Sequence, residues 1–174
     1  MAIEKPEYRV VRSEHGIELR DYDEYWVAEC LVKNVSELSE ASSRAFGRLF
    51  NYISGENSAG QKIAMTAPVQ QIPSDQGWLV SFVVPKGVSS SSIPVPANSS
   101  ITIRKVPAGR FAALVYSGTW NDKKFAAKSA ELLKALTELG LSWQEPVQSA
   151  IYNPPFLPPF LRRNEVLVRL NSEQ

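Results

Sequence analysis

The sequence predicts an α+β domain in which duplicated β-β-α-β-β units form a distorted antiparallel β-barrel or curved sheet flanked by two helices. Three observations predict this class: short strand-like runs between turn residues, two segments with helical spacing, and the same order of elements in both halves of the chain. The 174 residues, 44% of them hydrophobic, suit one compact domain with a sizeable core. The prediction is therefore a single domain over residues 1–174.

The first half, about residues 8–86, is predicted to place strands on both sides of one helix. The segments IELRDY (17–22) and YWVAECLV (25–32) are predicted to pair as a hairpin. KIAMTAPVQQI (62–72) and WLVSFVVP (78–85) are predicted as two further strands. Between the two pairs, residues 37–55 are predicted to form a helix that stops at Gly55. Its apolar residues recur at helical spacing: Leu38, Ala41, Ala45, Leu49 and Ile53.

The second half, about residues 100–171, repeats this order after a connector rich in serine and proline (87–99), which is typical of a solvated linker. Under an offset of 84 residues, the first helix falls on the helical pattern of residues 121–140. Under an offset of 86, WLVSFVV overlies NEVLVRL. Ligand pockets favour junctions between such units, so the duplication predicts a site in the seam between the halves. The offset of 84 also superposes Ile17, Leu19, Arg20 and Ala28 on Ile101, Ile103, Arg104 and Ala112.

Charge and composition restrict the class of partner. The formal net charge of +1 gives no reason to expect a nucleic acid or an anionic membrane. No apolar run approaches the roughly 18 residues of a membrane span, and the first residues show no signal-peptide core. We expect a cytoplasmic protein without a membrane span. A monomer is also expected, since the duplication supplies the symmetry that single repeats obtain by dimerising.

Signatures of catalysis are absent from the sequence. It contains no GxSxG, Walker or HExxH motif, and Cys30, the only cysteine, excludes a CxxC metal site and an intrachain disulfide. The only histidine, His15, lies in a predicted turn, so a Ser-His triad has no base. We therefore expect a binding protein rather than an enzyme, with no firm metal site.

Two segments resemble the SOUL/haem-binding protein family. They are KIAMTAPV, preceded by YISGEN, and YNPPFLPPFLRRNEV, preceded by a helix and a strand. The predicted hairpin lies in the matching place, and the resemblance extends over roughly residues 6–170. It implies that haem or another tetrapyrrole binds in a hydrophobic cleft, and that the protein acts as a carrier, buffer or sensor.

The resemblance does not carry over an iron ligand. Some family members have histidine where Asp21 stands here, and a carboxylate is a poor substitute. Cys30 is interpreted as a buried small hydrophobe, and Met65 as core or pocket wall, with iron ligation as the weaker alternative for Met65. The prediction is a hydrophobic clamp around a small hydrophobic ligand, without a histidine on the iron.

The resemblance also implies binding along the first helix, which carries a second apolar face. Phe46 and Phe50 are four residues apart and share that face, and Arg48 is expected to meet a propionate at the rim. The face either lines a pocket or widens the core stripe, and the sequence leaves both open. The predicted ligand-binding set is Phe46, Arg48, Leu49, Phe50, Met65, Trp120, Tyr152, Phe156, Phe160, Arg162 and Glu165.

An insert rich in proline, AIYNPPFLPPFLRRNEV (150–166), replaces a short turn between the last two predicted strands. Its prolines limit the entropy lost when the segment is fixed. Two interpretations stay open. The insert is a rigid lid or rim of the cleft, or Phe156 and Phe160 close the core.

The alternative function is that of a gyrase-inhibitor-like domain, which binds lipophilic or cationic small molecules. The duplicated plan is similar to those domains, several of which project a glutamate of the final strand into the cleft, and Glu165 occupies the comparable place. A carboxylate there would compensate a cation or, if desolvated, act as a general acid or base. It could equally pair with an arginine: Arg20, Arg104, Arg162 or Arg163.

Overall fold

The computed structural model describes residues 3–154 and 156–172. These residues form two α-helices, α1 (Leu38–Ile53) and α2 (Asp122–Glu138), and a short 3-10 turn at Pro159–Leu161. They also form nine strands: β1 (Tyr8–Glu14), β2 (Ile17–Tyr22), β3 (Tyr25–Lys33), β4 (Val69–Ser74), β5 (Gly77–Val83), β6 (Ile101–Val106), β7 (Gly109–Tyr116), β8 (Trp143–Ile151) and β9 (Asn164–Leu170).

The strands form one antiparallel sheet, curled into a half-barrel, in the order β1-β2-β7-β9-β8-β4-β5-β3-β6. The predicted α+β class, a curved antiparallel sheet with two helices, is confirmed. Without β1, this order is symmetric about its centre. If β2, β3, β4 and β5 are matched with β6, β7, β8 and β9, the sheet has the same strand order when followed from either end. Whether the sequence itself is duplicated stays a prediction.

The predicted hairpin of residues 17–22 with 25–32 is wrong. β2 pairs with β1 and β7, whereas β3 pairs with β5 and β6. A strand has only two edges for hydrogen bonds, and both edges of β2 are taken. One of them is taken by β1, which the sequence analysis did not predict.

The predicted strand over residues 62–72 is shorter in the structure, because β4 begins only at Val69. Residues 62–68 form a connecting segment that is fixed in other ways. The hydroxyl of Thr66 donates to the carbonyl of Val83 at 2.6 Å, and the amide of Ala67 donates to the carbonyl of Glu4 at 3.0 Å. Met65 therefore lies outside the sheet.

One face of the sheet packs against the helices. Leu49 of α1 is buried with Val80 of β5 in one cluster, and Leu136 of α2 is buried with Val166 of β9 in another. α2 begins after Asn121, whose side chain accepts from the amide of Lys124 at 2.8 Å. Both helices lie within the predicted ranges, and neither has the length and apolarity needed to cross a bilayer.

Candidate functional site

α1 exposes two phenylalanine rings beside its buried stripe. Phe46 and Phe50 stack at 6.1 Å between centroids, with 14° between their planes. They are 44% and 50% exposed, whereas Leu49 is fully buried in the core. Phe46 also packs edge-on against Phe82 of β5 at 5.4 Å. The two rings therefore form an apolar surface and do not widen the core stripe.

The strand register places this surface at the end of the sheet where two connecting segments leave it. Phe82 lies opposite Val69, and Val69 lies opposite Ile151. Because these strands are antiparallel, the residues before Val69 and after Ile151 leave the sheet at the same end. They are the 62–68 segment, in which Met65 is 38% exposed, and the loop of residues 152–163.

The 152–163 loop is held at its two ends and near its tip. At its ends, the amide of Tyr152 donates to the carbonyl of Arg163 at 3.1 Å. Near the tip, the amide of Gly118 donates to the carbonyl of Pro159 at 2.9 Å, which connects the loop to the segment before α2. These bonds hold the described residues of the loop beside the 117–121 segment.

The tip of this loop points its rings outward. Phe156 is 86% and Phe160 is 76% exposed, so closure of the core by these two rings is wrong. Neither ring belongs to a core cluster of the described residues. Arg162, predicted at the rim, turns back into the loop, where its Nε donates to the carbonyl of Leu157 at 2.8 Å.

Two other predicted residues point away from the exposed rings. Arg48 is two residues from each ring, about 200° around the helix, and its Nη1 lies 3.7 Å from Sγ of Cys30 on β3. Trp120 is partly buried against the α1 side of the core, and its Nε1 donates to Oγ of Ser149 at 3.1 Å. Neither side chain joins the surface formed by Phe46 and Phe50.

Glu165 lies on the other face of the sheet, at the centre of a buried ionic cluster. Arg20, fully buried, donates through Nη1 and Nη2 to both carboxylate oxygens at 2.8 and 3.0 Å. Nε of Arg163 donates to Oε2 at 2.9 Å, and the hydroxyl of Tyr152 donates to Oε1 at 3.3 Å. Burial alone would raise the pKa of Glu165, but the two guanidinium groups outweigh it and hold this pKa below its usual value. Glu165 is therefore an ion-paired carboxylate, as in the pairing alternative.

Aromatic rings close this cluster. The ring of Tyr8 lies 4.3 Å from the guanidinium of Arg20, and its hydroxyl accepts from Nη2 of Arg163 at 3.0 Å. Tyr22 accepts from Nη1 of Arg20 at 2.9 Å, and burial raises the pKa of this phenol. Tyr8 is not among the predicted site residues because β1 carries no strand signal: its Val10 and Val11 are adjacent, both exposed, and show no alternation.

Asp21, for which the family resemblance suggested a comparison with histidine, forms ion pairs with two arginines. Asp21 accepts from Nε of Arg110 at 2.7 Å and from Nη2 of Arg9 at 3.2 Å, and the bond from Arg110 holds the pKa of Asp21 below its usual value.

His15 lies in the turn between β1 and β2, with a left-handed φ of 55°, as predicted. Cys30 is buried, also as predicted. Within residues 3–154 and 156–172, no three His, Cys, Asp or Glu residues are grouped to hold a metal ion.

Solved structures with a similar fold are distant in sequence. The EcmrR C-terminal domain has a TM-score of 0.65 at 11% identity and covers 95% of this chain and 98% of its own. A hydrolase from Listeria innocua has a TM-score of 0.58 at 10% identity, with coverage of 92% and 94%. SAV2435, solved with bound tetraphenylphosphonium, has a TM-score of 0.51 at 9% identity, with coverage of 95% and 94%. At these identities the likeness shows the fold alone.

Curated relatives are closer in sequence. Heme-binding protein 1 of Sus scrofa is 30% identical over 136 residues, which cover 74% of this chain and 71% of that protein. Heme-binding protein 1 of Bos taurus is 29% identical over 143 residues, with coverage of 78% and 74%. The model of the SOUL heme-binding protein family matches residues 3–169. On this match, which extends over almost the whole chain, the protein belongs to the SOUL haem-binding family.

Proposed function

We propose that the protein binds haem or a related tetrapyrrole against the apolar surface of α1, as a carrier, buffer or sensor rather than as a catalyst. The observation that carries this proposal is the half-exposed stack of Phe46 and Phe50, at the end of the sheet where Met65 is also partly exposed. A flat apolar macrocycle gains free energy by covering such rings. Relatives named Heme-binding protein 1 support the choice of ligand.

The residues of this surface fit an apolar macrocycle better than they fit an iron centre. An axial ligand needs a His, Met, Cys or Tyr side chain aimed at the iron. Cys30 is buried beneath α1, and Asp21 is engaged by arginines. Met65 is a thioether on the same end of the sheet as the rings, and its partial exposure suits a pocket wall. We therefore assign binding to apolar contact without a histidine ligand.

The contribution of the two rings to affinity follows from their area. A buried phenylalanine covers roughly 200 Å², so half-exposed rings that each bury about 50 Å² more against a ligand contribute about 1.2 kcal/mol apiece at 25 cal/mol per Å². Together they account for roughly a 50-fold change in the dissociation constant. The free energy gained from the rest of the contact area is largely offset by the cost of association, so we expect a dissociation constant in the micromolar range.

A titration monitored by the Soret band tests the proposal. Haemin and metal-free protoporphyrin IX are expected to bind with similar affinity, because the contacts do not involve the metal. The double change Phe46→Ser/Phe50→Ser should weaken both, whereas Val10→Ser, at an equally exposed position on the edge strand β1, should weaken neither. The absence of saturable binding by the unchanged protein would refute the proposal.

A second variant tests the iron directly. Met65→Leu keeps the apolar volume and removes the thioether, so the spectrum of the haemin complex should stay the same. A shifted Soret band in Met65→Leu would assign Met65 to the iron and contradict the ligand-free part of the proposal.

The alternative, a cationic ligand at Glu165, has no supporting observation. Both oxygens of Glu165 already accept hydrogen bonds from Arg20, Arg163 and Tyr152, and the side chain is fully buried. We infer that lipophilic cations such as tetraphenylphosphonium will not raise the melting temperature.

We also propose that the protein is a cytoplasmic monomer without a nucleic-acid partner. Gel filtration at several protein concentrations checks the monomer.

A further inference from the structure

The tip of the 152–163 loop forms a stiff apolar protrusion. Phe156, Phe160 and Leu161 are 86%, 76% and 56% exposed. A 3-10 turn holds Phe160 and Leu161, and the amide of Leu161 donates to the carbonyl of Pro158 at 2.9 Å. Exposed apolar side chains on a backbone fixed in this way indicate an interaction site rather than incidental surface.

The three connecting segments around the protrusion carry cations and no carboxylate. Three segments meet at this end of the sheet: 62–68, 117–121 and 152–163. They contain three cations, Lys62, Arg162 and Arg163, and no aspartate or glutamate. Of these cations, Arg163 pairs with Glu165 on β9 and Arg162 donates to the carbonyl of Leu157, so Lys62 is the exposed cation of the three segments. The formal charge of the whole chain, +1, conceals this local excess.

The small size of the protrusion favours a lipid surface over a protein partner. A stable protein interface covers about 800 Å² on each side, whereas three side chains of this kind offer roughly 500 Å² at most. Aromatic and leucine side chains flanked by cations are the combination that inserts into the headgroup region of anionic bilayers.

We infer that the tip of the 152–163 loop docks the protein on anionic lipid bilayers, with Phe156, Phe160 and Leu161 inserted and Lys62 facing the headgroups. This goes beyond the proposed tetrapyrrole binding and does not depend on it. Neither described helix crosses the membrane in this arrangement, so the association is peripheral and reversible. It would place the surface of Phe46 and Phe50 near ligands that partition into lipid.

Cosedimentation with vesicles tests the inference, using the full chain without tetrapyrrole. The protein should sediment with vesicles of equal parts phosphatidylserine and phosphatidylcholine, and less at high salt. The double change Phe156→Ser/Phe160→Ser should lower the partition coefficient between vesicles and water about tenfold. Val95→Ser, which removes an apolar side chain that is 66% exposed in the 87–99 connector, is the matched control and should bind normally.

The charge is tested separately from the rings. Lys62→Gln should weaken binding roughly fivefold on vesicles that contain phosphatidylserine and leave it unchanged on pure phosphatidylcholine. Because the changed side chains are exposed, each variant should show the same thermal unfolding as the unchanged protein. Three results would overturn the inference: an unchanged protein that stays in the supernatant, a double phenylalanine variant that sediments equally, or sedimentation without vesicles that the double variant loses. The last result would indicate self-association through the tip. A failed haemin titration would leave this test unaffected.

Discussion

Replacing Glu165 with glutamine should destabilise the fold strongly, because it leaves buried cations without their counter-charge. Arg20 is fully buried and donates two hydrogen bonds to the carboxylate, and Arg163 donates from a second side. An amide can accept from one guanidinium, but its NH₂ group then faces another donor. The change therefore removes the charge and also inverts part of the hydrogen bonding.

The expected magnitude follows from the burial of the pair. Breaking a fully buried ion pair by removing one partner costs about 3–5 kcal/mol, a large part of the 5–15 kcal/mol that stabilises an ordinary domain. With a urea dependence of about 2 kcal/mol per molar, the midpoint of unfolding should fall by roughly 1.5–2.5 M. The double change Arg20→Met/Glu165→Leu should recover much of the loss, since it removes both buried charges.

The effect should also depend on pH in a definite direction. The folded-state pKa of Glu165 lies below its usual value, so its stabilising contribution is complete above the unfolded pKa, about 4.3, and is lost as the pH falls through the folded pKa. Urea unfolding monitored by tryptophan fluorescence should give the full difference between Glu165→Gln and the unchanged protein at neutral pH. That difference should shrink in acid. A gap below about 1 kcal/mol at neutral pH, or one that stays constant down to about pH 3, would refute the role given to this pair.

Two further changes test the packing around the proposed site. Leu49→Ala should lower the free energy of unfolding by about 2–5 kcal/mol because it opens a cavity under α1. Phe50→Ser, at the next residue, should lower it by less than about 1 kcal/mol. Equal losses in urea unfolding would contradict the assignment of a buried and an exposed face to α1. Gly77→Ala should prevent stable folding, because Gly77 has a φ of 143° and the Cβ of an alanine there would meet the carbonyl oxygen of Val32. A normal melting curve for this variant would show that the turn before β5 is misplaced.

The helices and the fold class could be predicted from the sequence because their signals are local. The apolar residues between Leu38 and Ile53 recur at helical spacing, and Asn121 provides a capping side chain at the start of the second helix. The pairing of strands could not be predicted in the same way. β2 pairs with β1 and β7, which lie on both sides of it in the chain, and β1 gives no alternating pattern.

The candidate site was predicted in part. Periodicity showed that Phe46 and Phe50 share a face, but it could not show that they stay half exposed while Leu49 is buried. Arg48 was expected beside these rings, and the helical geometry turns it toward Cys30 instead. The residues around Glu165 come from strands far apart in the chain, so only the folded sheet shows which of four candidate arginines pair with it.

The strand order also affects how this chain is made. β2 needs β7 as a neighbour and β3 needs β6, so two of the three strands that precede α1 wait for a partner in the second half. While the ribosome is still adding residues beyond the 87–99 connector, both strands present open edges and apolar side chains. The nascent chain should therefore engage chaperones until β7 has emerged, and pauses in translation within the connector should lower the yield of folded protein.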